Sequence, residues 1–227
     1  MAVYYNENDP FAAQWLRNLI GAGLIARGDV DDRSILEVRG SDLKGYRQCH
    51  FFAGIGGWSY ALRLAGWGDD REVWTGSCPC QNLSSAARGR NIAPDLWPAW
   101  LALIAANRPR ALFGEQVAHK RAWLDRLCAD LEPVGYEIGA AILPAVSVGK
   151  DHARHRIYFV GHANGNGESI MQVNGKVGWL QGANREPGSV ARADGLSDRV
   201  GRLRAYGNAI VPQVAAEFIR AYDSTPS

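Results

Sequence analysis

The stretch Ser77–Ser84 reads Ser-Cys-Pro-Cys-Gln-Asn-Leu-Ser and follows a short apolar run, Val73–Thr75, that predicts a strand. A cysteine presented by a proline at a strand end is a candidate nucleophile. The thiolate is the attacking form and a free thiol titrates near ~8.5, so Cys80 needs a polar or electropositive setting, which Gln81, Asn82, Arg88 and Arg90 offer. The competing reading of Cys80 is a small buried hydrophobe. A second stretch, Phe52-Ala53-Gly54-Ile55-Gly56-Gly57, follows the apolar strand His50–Ala53. Its glycines let the backbone approach a ligand closely and bring the next helix N-terminus toward it, or else serve only to pack strand against helix. Glu72, 15 residues past Gly57, is a candidate for a ribose by its offset. Arg154 and Arg156 alternate along a predicted strand and so share one face.

With these stretches come Phe113-Gly114-Glu115-Gln116-Val117, His152-Ala153-Arg154-His155-Arg156 and Tyr206-Gly207-Asn208-Ala209-Ile210-Val211-Pro212. Together and in this order they resemble the DNA cytosine-C5 methyltransferases, whose motifs are Phe-x-Gly-x-Gly-Gly, Pro-Cys-Gln, Glu-Asn-Val, Gln-x-Arg-x-Arg and a late Gly-Asn. The resemblance covers most of residues 1–161 and 202–220. It implies an α/β, Rossmann-like S-adenosylmethionine-dependent methyltransferase fold, a mostly parallel sheet with helices on both faces. Its reaction is methyl transfer to C5 of a flipped cytosine through a covalent adduct between Cys80 and C6, with no metal. The matching positions would make Glu115 the carboxyl serving N3, Arg156 the contact to the base O2, and Arg154 the residue that orders the Cys80 loop. Phe52, Gly54, Ile55, Gly56, Gly57, Pro79 and Asn208 would hold S-adenosylmethionine; Gln81, Ser84, Arg88 and Arg90 would meet the substrate. His152 stands where the family has glutamine, Gln116 where it has asparagine and Asn82 where proline is common. None of these departures removes a catalytic group.

The elements that must position these residues alternate. Residues 2–5 predict a strand; Asp9 can cap and Pro10 open a helix carrying Phe11, Trp15, Leu16, Leu19 and Ile20; a further strand is expected around Ile35–Val38. Helices follow at Trp58–Ala65, Leu96–Ala106, Trp123–Leu131 and Val214–Ala221, with strands at Arg110–Phe113, Tyr136–Leu143 and Arg156–Val160. Asn6-Glu7-Asn8-Asp9 resembles the family's second motif, whose glutamate holds the cofactor ribose, yet it precedes the glycine turn instead of following it. The resemblance therefore implies a circular permutation at residues 1–40, with Glu7 as the ribose ligand and Glu72 as its rival. Residues 162–201, rich in Gly, Asn, Ser and Asp, read as a surface excursion or a much reduced target-recognition region between the catalytic domain (1–161) and its closing motif and helix (202–227).

A chain of 227 residues with 47% hydrophobic content suits one core. The net charge of +2 does not by itself announce a nucleic-acid partner, although 21 of 25 basic residues are arginine, which suits phosphates and base edges. Four cysteines without paired spacing fit a reducing cytoplasm, and no signal segment or long apolar run points to export or a membrane. The expected partner is double-stranded DNA, in a phage or bacterial, restriction-modification setting. The alternatives are an RNA cytosine-C5 methyltransferase, or a cofactor-binding and DNA-binding subunit that needs a partner chain for target recognition.

Overall fold

The computed structural model describes residues 2–79, 94–117, 121–148, 155–163 and 209–224. Seven strands form one sheet: β1 (Val3–Asn6), β2 (Gly28–Asp31), β3 (Gln48–Phe51), β4 (Val73–Gly76), β5 (Ala111–Val117), β6 (Tyr136–Pro144) and β7 (His155–Ala163). Their order across the sheet is β2-β1-β3-β4-β5-β7-β6. The first five run parallel, while β7 is antiparallel to both β5 and β6. The link from Pro144 to His155 is too short to hold a crossover helix, so β7 can only return antiparallel.

Five α-helices cover the sheet among the described residues: α1 (Pro10–Gly21), α2 (Gly57–Ala65), α3 (Trp97–Asn107), α4 (Arg121–Leu131) and α5 (Pro212–Asp223). The alternation of strand side chains assigns the layers. Tyr4, Cys49, Phe51, Trp74 and Leu112 face α3 and α4, packing with Trp97, Trp100, Trp123 and Leu127. On the other face, Val73, Phe113 and Tyr158 pack with Trp58, Leu62, Val214 and Ile219 from α2 and α5, and Val3 and Tyr5 pack with Leu16 from α1. Gly114 and Gly76 leave room for Phe159 and Trp100, since a Cβ on either would lie within 2.0 Å and 2.6 Å of those rings.

Helix α1 opens as the sequence predicts: Pro10 takes the first position and Asp9 Oδ1 accepts the Ala12 N–H at 2.9 Å. The second strand does not lie at Ile35–Val38. That segment forms a 3-10 turn over Ile35–Glu37, closed by Ser34 and Glu37, and buries Ile35 and Val38 under the α3 face. The strand is Gly28–Asp31, an edge strand that pairs with β1 through the backbone and through Tyr4 Oη, which donates to Asp31 Oδ2 at 2.7 Å. Strand β5 also continues past the expected Phe113 to Val117, so Glu115 and Gln116 lie within it and not beyond its end.

Candidate active site

The carboxyl ends of β1, β3, β4 and β5 meet the first residues of β7 along one edge, and the chemistry-bearing side chains gather there. Beside the glycine turn, Glu7 follows β1, which pairs in parallel with β3 from Val3↔Gln48 to Asn6↔Phe51, the adjacency the permuted order requires. The Gly54 N–H donates to Glu7 Oε2 at 2.7 Å and the Asp9 N–H to Oε1 at 2.9 Å. Each carboxylate oxygen keeps a second lone pair, enough to accept from a vicinal diol. The Ala53 N–H donates to Asn6 O at 3.0 Å, stitching the start of the turn to the end of β1.

Phe52 (φ 50°), Gly54 (φ 54°) and Gly56 (φ 81°) all adopt left-handed backbone. Gly54 faces open space, since a Cβ there would meet nothing within 4 Å. Ile55, Gly56 and Gly57 turn instead to a cleft of about 460 Å³ behind the turn, between α1, α2 and the start of α5, lined also by Trp15, Tyr60 and Ile210. The predicted cofactor residues thus divide: Phe52, Gly54 and Glu7 front the strand-end edge, while Ile55–Gly57 join the turn to the helices. Glu72 precedes β4 at the opposite edge of the sheet, where its Oε1 accepts the Arg110 N–H at 3.2 Å. Of the two ribose candidates, only Glu7 lies at the turn.

Toward the nucleophile, the Trp58 Nε1–H of α2 donates to Ser77 Oγ at 3.1 Å, and Gln116 Nε2–H donates to Cys78 O at 3.3 Å. These two bonds, from opposite faces of the sheet, fix the backbone that leads to exposed Pro79. Trp58 carries no sequence signal for this role beyond following the glycine turn, and Gln116 none beyond its place in the Phe113–Val117 motif. Cys80, Gln81, Ser84, Arg88, Arg90, Arg154 and Asn208 lie outside the described residues.

Glu115 is 7% exposed. Register pairs Glu115 with Tyr158 and Val117 with Arg156, which puts Glu115 and Arg156 diagonally on one face, and Arg156 Nε meets Glu115 Oε1 at 2.6 Å. From Glu7 on β1 to Glu115 on β5 is three strand spacings, about 14 Å, a span that fits a nucleoside-sized ligand and a base placed end to end. Under the edge, His50 Nδ1 and Thr75 Oγ1 are 2.7 Å apart and tie β3 to β4. Burial pushes the His50 imidazole down to about 3, so it is neutral at ordinary pH. Cys49 and Cys78 are buried thiols, and burial pushes Cys49 well above the usual thiol range, which removes it as a nucleophile. Among the described residues no group of side chains could hold a metal ion, and no helix is long and apolar enough to cross a membrane.

A family model for C-5 cytosine-specific DNA methylases matches residues 67–179. Among solved structures the fold is similar to Spodoptera frugiperda DNMT2, at 12% identity and a TM-score of 0.51 over 76% of this chain and 46% of that one. Schizosaccharomyces pombe Dnmt2 is matched at 18% identity and a TM-score of 0.47, over 78% of this chain and 51% of that one. A putative DNA modification methyltransferase encoded within an Escherichia coli prophage is matched at 16% and 0.46, over 71% and 40%. The chain spans about half the length of the solved structures it matches or less. No curated protein matches by sequence. The methyl donor of the matched family is S-adenosylmethionine. The edge fits it: a carboxylate with lone pairs for a diol, a half-buried Phe52 ring for an adenine, and open space at Gly54 between them.

Proposed function

Because the chain belongs to the C-5 cytosine methyltransferase family, we propose that it methylates C5 of a cytosine in double-stranded DNA through a covalent adduct between Cys80 and C6. The observation that carries this reading is the Glu115–Arg156 pair, a buried carboxylate and a guanidinium on the same edge as the Glu7–Gly54 cradle. Cytosine C5 is a weak nucleophile until electrons are added to the ring. Cys80 supplies them by attacking C6 as the thiolate, while the Glu115 carboxyl in its acid form donates a hydrogen bond or its proton to N3 and Arg156 holds O2, so that negative charge arriving in the ring is met. S-adenosylmethionine, when bound, supplies an electrophilic methyl group. Loss of the C5 proton to solvent water then expels Cys80 as the thiolate and restores the aromatic ring. Glu7, Phe52 and Gly54 orient the cofactor, and Arg154 and the Gln81–Arg90 loop serve the nucleophile and the gap left by the flipped base.

The experiment is sequencing of DNA for modified cytosines after expression of the full chain, together with trapping on duplexes carrying 5-fluorocytosine. Modified DNA and a trapped complex that disappears in Cys80→Ser are expected. Transfer to tRNA and not to duplex DNA would give the RNA reading instead. The shortness of residues 162–201, where the resemblance places the target-recognition region, favours one addition: target recognition by a partner chain, or a target of only about two to four base pairs, given that each bidentate base contact contributes ~1–3 kcal/mol of discrimination. A strict longer site read by this chain alone, on a random-sequence duplex library, would remove that addition.

A further inference from the structure

Trp100, on α3, has no exposed surface and sits between Phe52 of the glycine turn and Gly76 at the end of β4. Its ring stands edge-on to Phe52, with centroids 6.1 Å apart and planes at 88°. Trp97 supports it from the same helix at 5.6 Å and 85°. On the other side its outermost atoms, Cη2 and Cζ2, occupy the space a side chain on Gly76 would need, since a Cβ there would lie 2.6 Å from each. Gly76 ends β4, and three residues later the chain reaches Pro79 and then Cys80.

Two further features demand an explanation. Phe52 has φ 50°, a region that bulky side chains seldom enter and that persists only where the surroundings hold it. The Trp100 Nε1–H is buried with no hydrogen-bond partner among the described residues, a cost that phenylalanine would avoid. What tryptophan adds is reach. A phenyl ring is too short to keep both contacts, whereas the indole reaches Phe52 on one side and Gly76 on the other.

We propose that Trp100 is a positioning residue that couples the cofactor turn to the segment Gly76–Pro79 that leads to Cys80. One ring edge holds Phe52 in its left-handed conformation, and the far atoms set the path of Gly76–Pro79. This rests on the methyltransferase reading, because the consequence is felt as cofactor affinity and transfer rate. The test is titration of S-adenosylmethionine into the full chain, with melting temperature and steady-state transfer measured alongside. Trp100→Phe should weaken cofactor affinity about three- to tenfold, the range for one edge-to-face aromatic contact, and lower kcat at saturating cofactor, with melting changed by only a few degrees. Gly76→Ala, which pushes the same ring from the other side, should also weaken affinity. The double variant, in which the shorter ring leaves room for the methyl group, should recover part of the loss seen in Gly76→Ala. Unchanged affinity in both single variants, or no recovery in the double, overturns the proposal. If Trp100→Phe does not fold, Gly76→Ala decides alone, and unchanged affinity overturns it. Absence of cofactor binding by the unaltered chain would sink the functional reading itself, and the coupling with it.

Discussion

The two halves of the active edge are built by different means. From β2 to β5 the strands run parallel, so only their carboxyl ends reach the edge, and the chemistry sits on residues just beyond those ends: Glu7, Phe52, Gly54 and Ser77. In the cradle, backbone N–H groups of Gly54 and Asp9 hold the Glu7 carboxylate. Between β5 and β7 the pairing is antiparallel, so the end of one strand meets the start of the other, and Glu115 and Arg156 sit on regular ladder positions. Side chains hold each other there. In the proposed function, a cofactor cradle made of turns can adapt to its ligand, whereas a pair fixed on two strands keeps its geometry, and geometry is what proton transfer to a ring nitrogen would require.

The sharpest test of that division is Glu115→Gln. The amide cannot deliver a proton, so transfer should fall by ~10² to 10⁴ in kcat/KM, while cofactor affinity stays within about twofold. Radiolabelled methyl transfer and calorimetric titration read the two quantities separately, and a matching loss of affinity would mean the halves are not independent. Glu7→Gln should do the reverse. Losing hydrogen bonds to a charged group weakens cofactor binding by roughly 10- to 100-fold, with kcat at saturation changed little.

A third variant strikes both halves at once. Gly114 lies on β5 between them, and a Cβ there would sit 2.0 Å from Phe159 Cζ and 2.8 Å from Gly76 O. Gly114→Ala should destabilise the chain by ~1–3 kcal/mol, read as a lowered denaturation midpoint. A neutral result would show that Phe159 can turn aside, and that the two halves are less tightly joined than the packing implies.

Legibility in the sequence divides along the same line. The Asp9-Pro10 helix start and the glycine turn are local, written in residue types whose backbone preferences act over a few positions. Strand β2 is not legible because Gly-Asp-Val-Asp has no apolar run; it is held by backbone pairing to β1, and Gly28 is needed because a Cβ would lie 1.9 Å from Val3 O. Ile35–Val38 looks like a strand because its apolar residues belong to the α3 face, reached through a 3-10 turn. Strand β5 reads as ending at Phe113 because polar Glu115 and Gln116 lie just beyond, and their burial is sustained by Arg156 of β7 for Glu115 and by Cys78 O for Gln116. The chemistry on β5 is legible as a motif, but its mounting on a strand is not. Trp58 and Trp100 read as core residues, since nothing local says which loops a buried ring supports.

The smallest effect concerns the tie between the parallel strands. His50, 1% exposed and bonded to Thr75, is neutral in the folded chain because burial pushes it down to about 3. In the unfolded chain a histidine titrates near ~6.5, so as pH falls below that value the unfolded state gains a proton that the native state does not bind. The stabilisation is therefore present above pH ~6.5 and is lost progressively down to the folded value. Between pH 7 and pH 6 the loss is only about 0.7 kcal/mol, rising toward ~1.4 kcal/mol for each further unit. His50→Gln keeps a hydrogen-bonding group toward Thr75 and removes the titration, so its stability should fall less steeply with acid than that of the unaltered chain. Urea midpoints measured from pH 7.5 to 5 would show two lines that diverge below pH ~6.5. Parallel lines would mean that His50 takes up a proton in the native state, and that the β3–β4 tie opens before the chain unfolds.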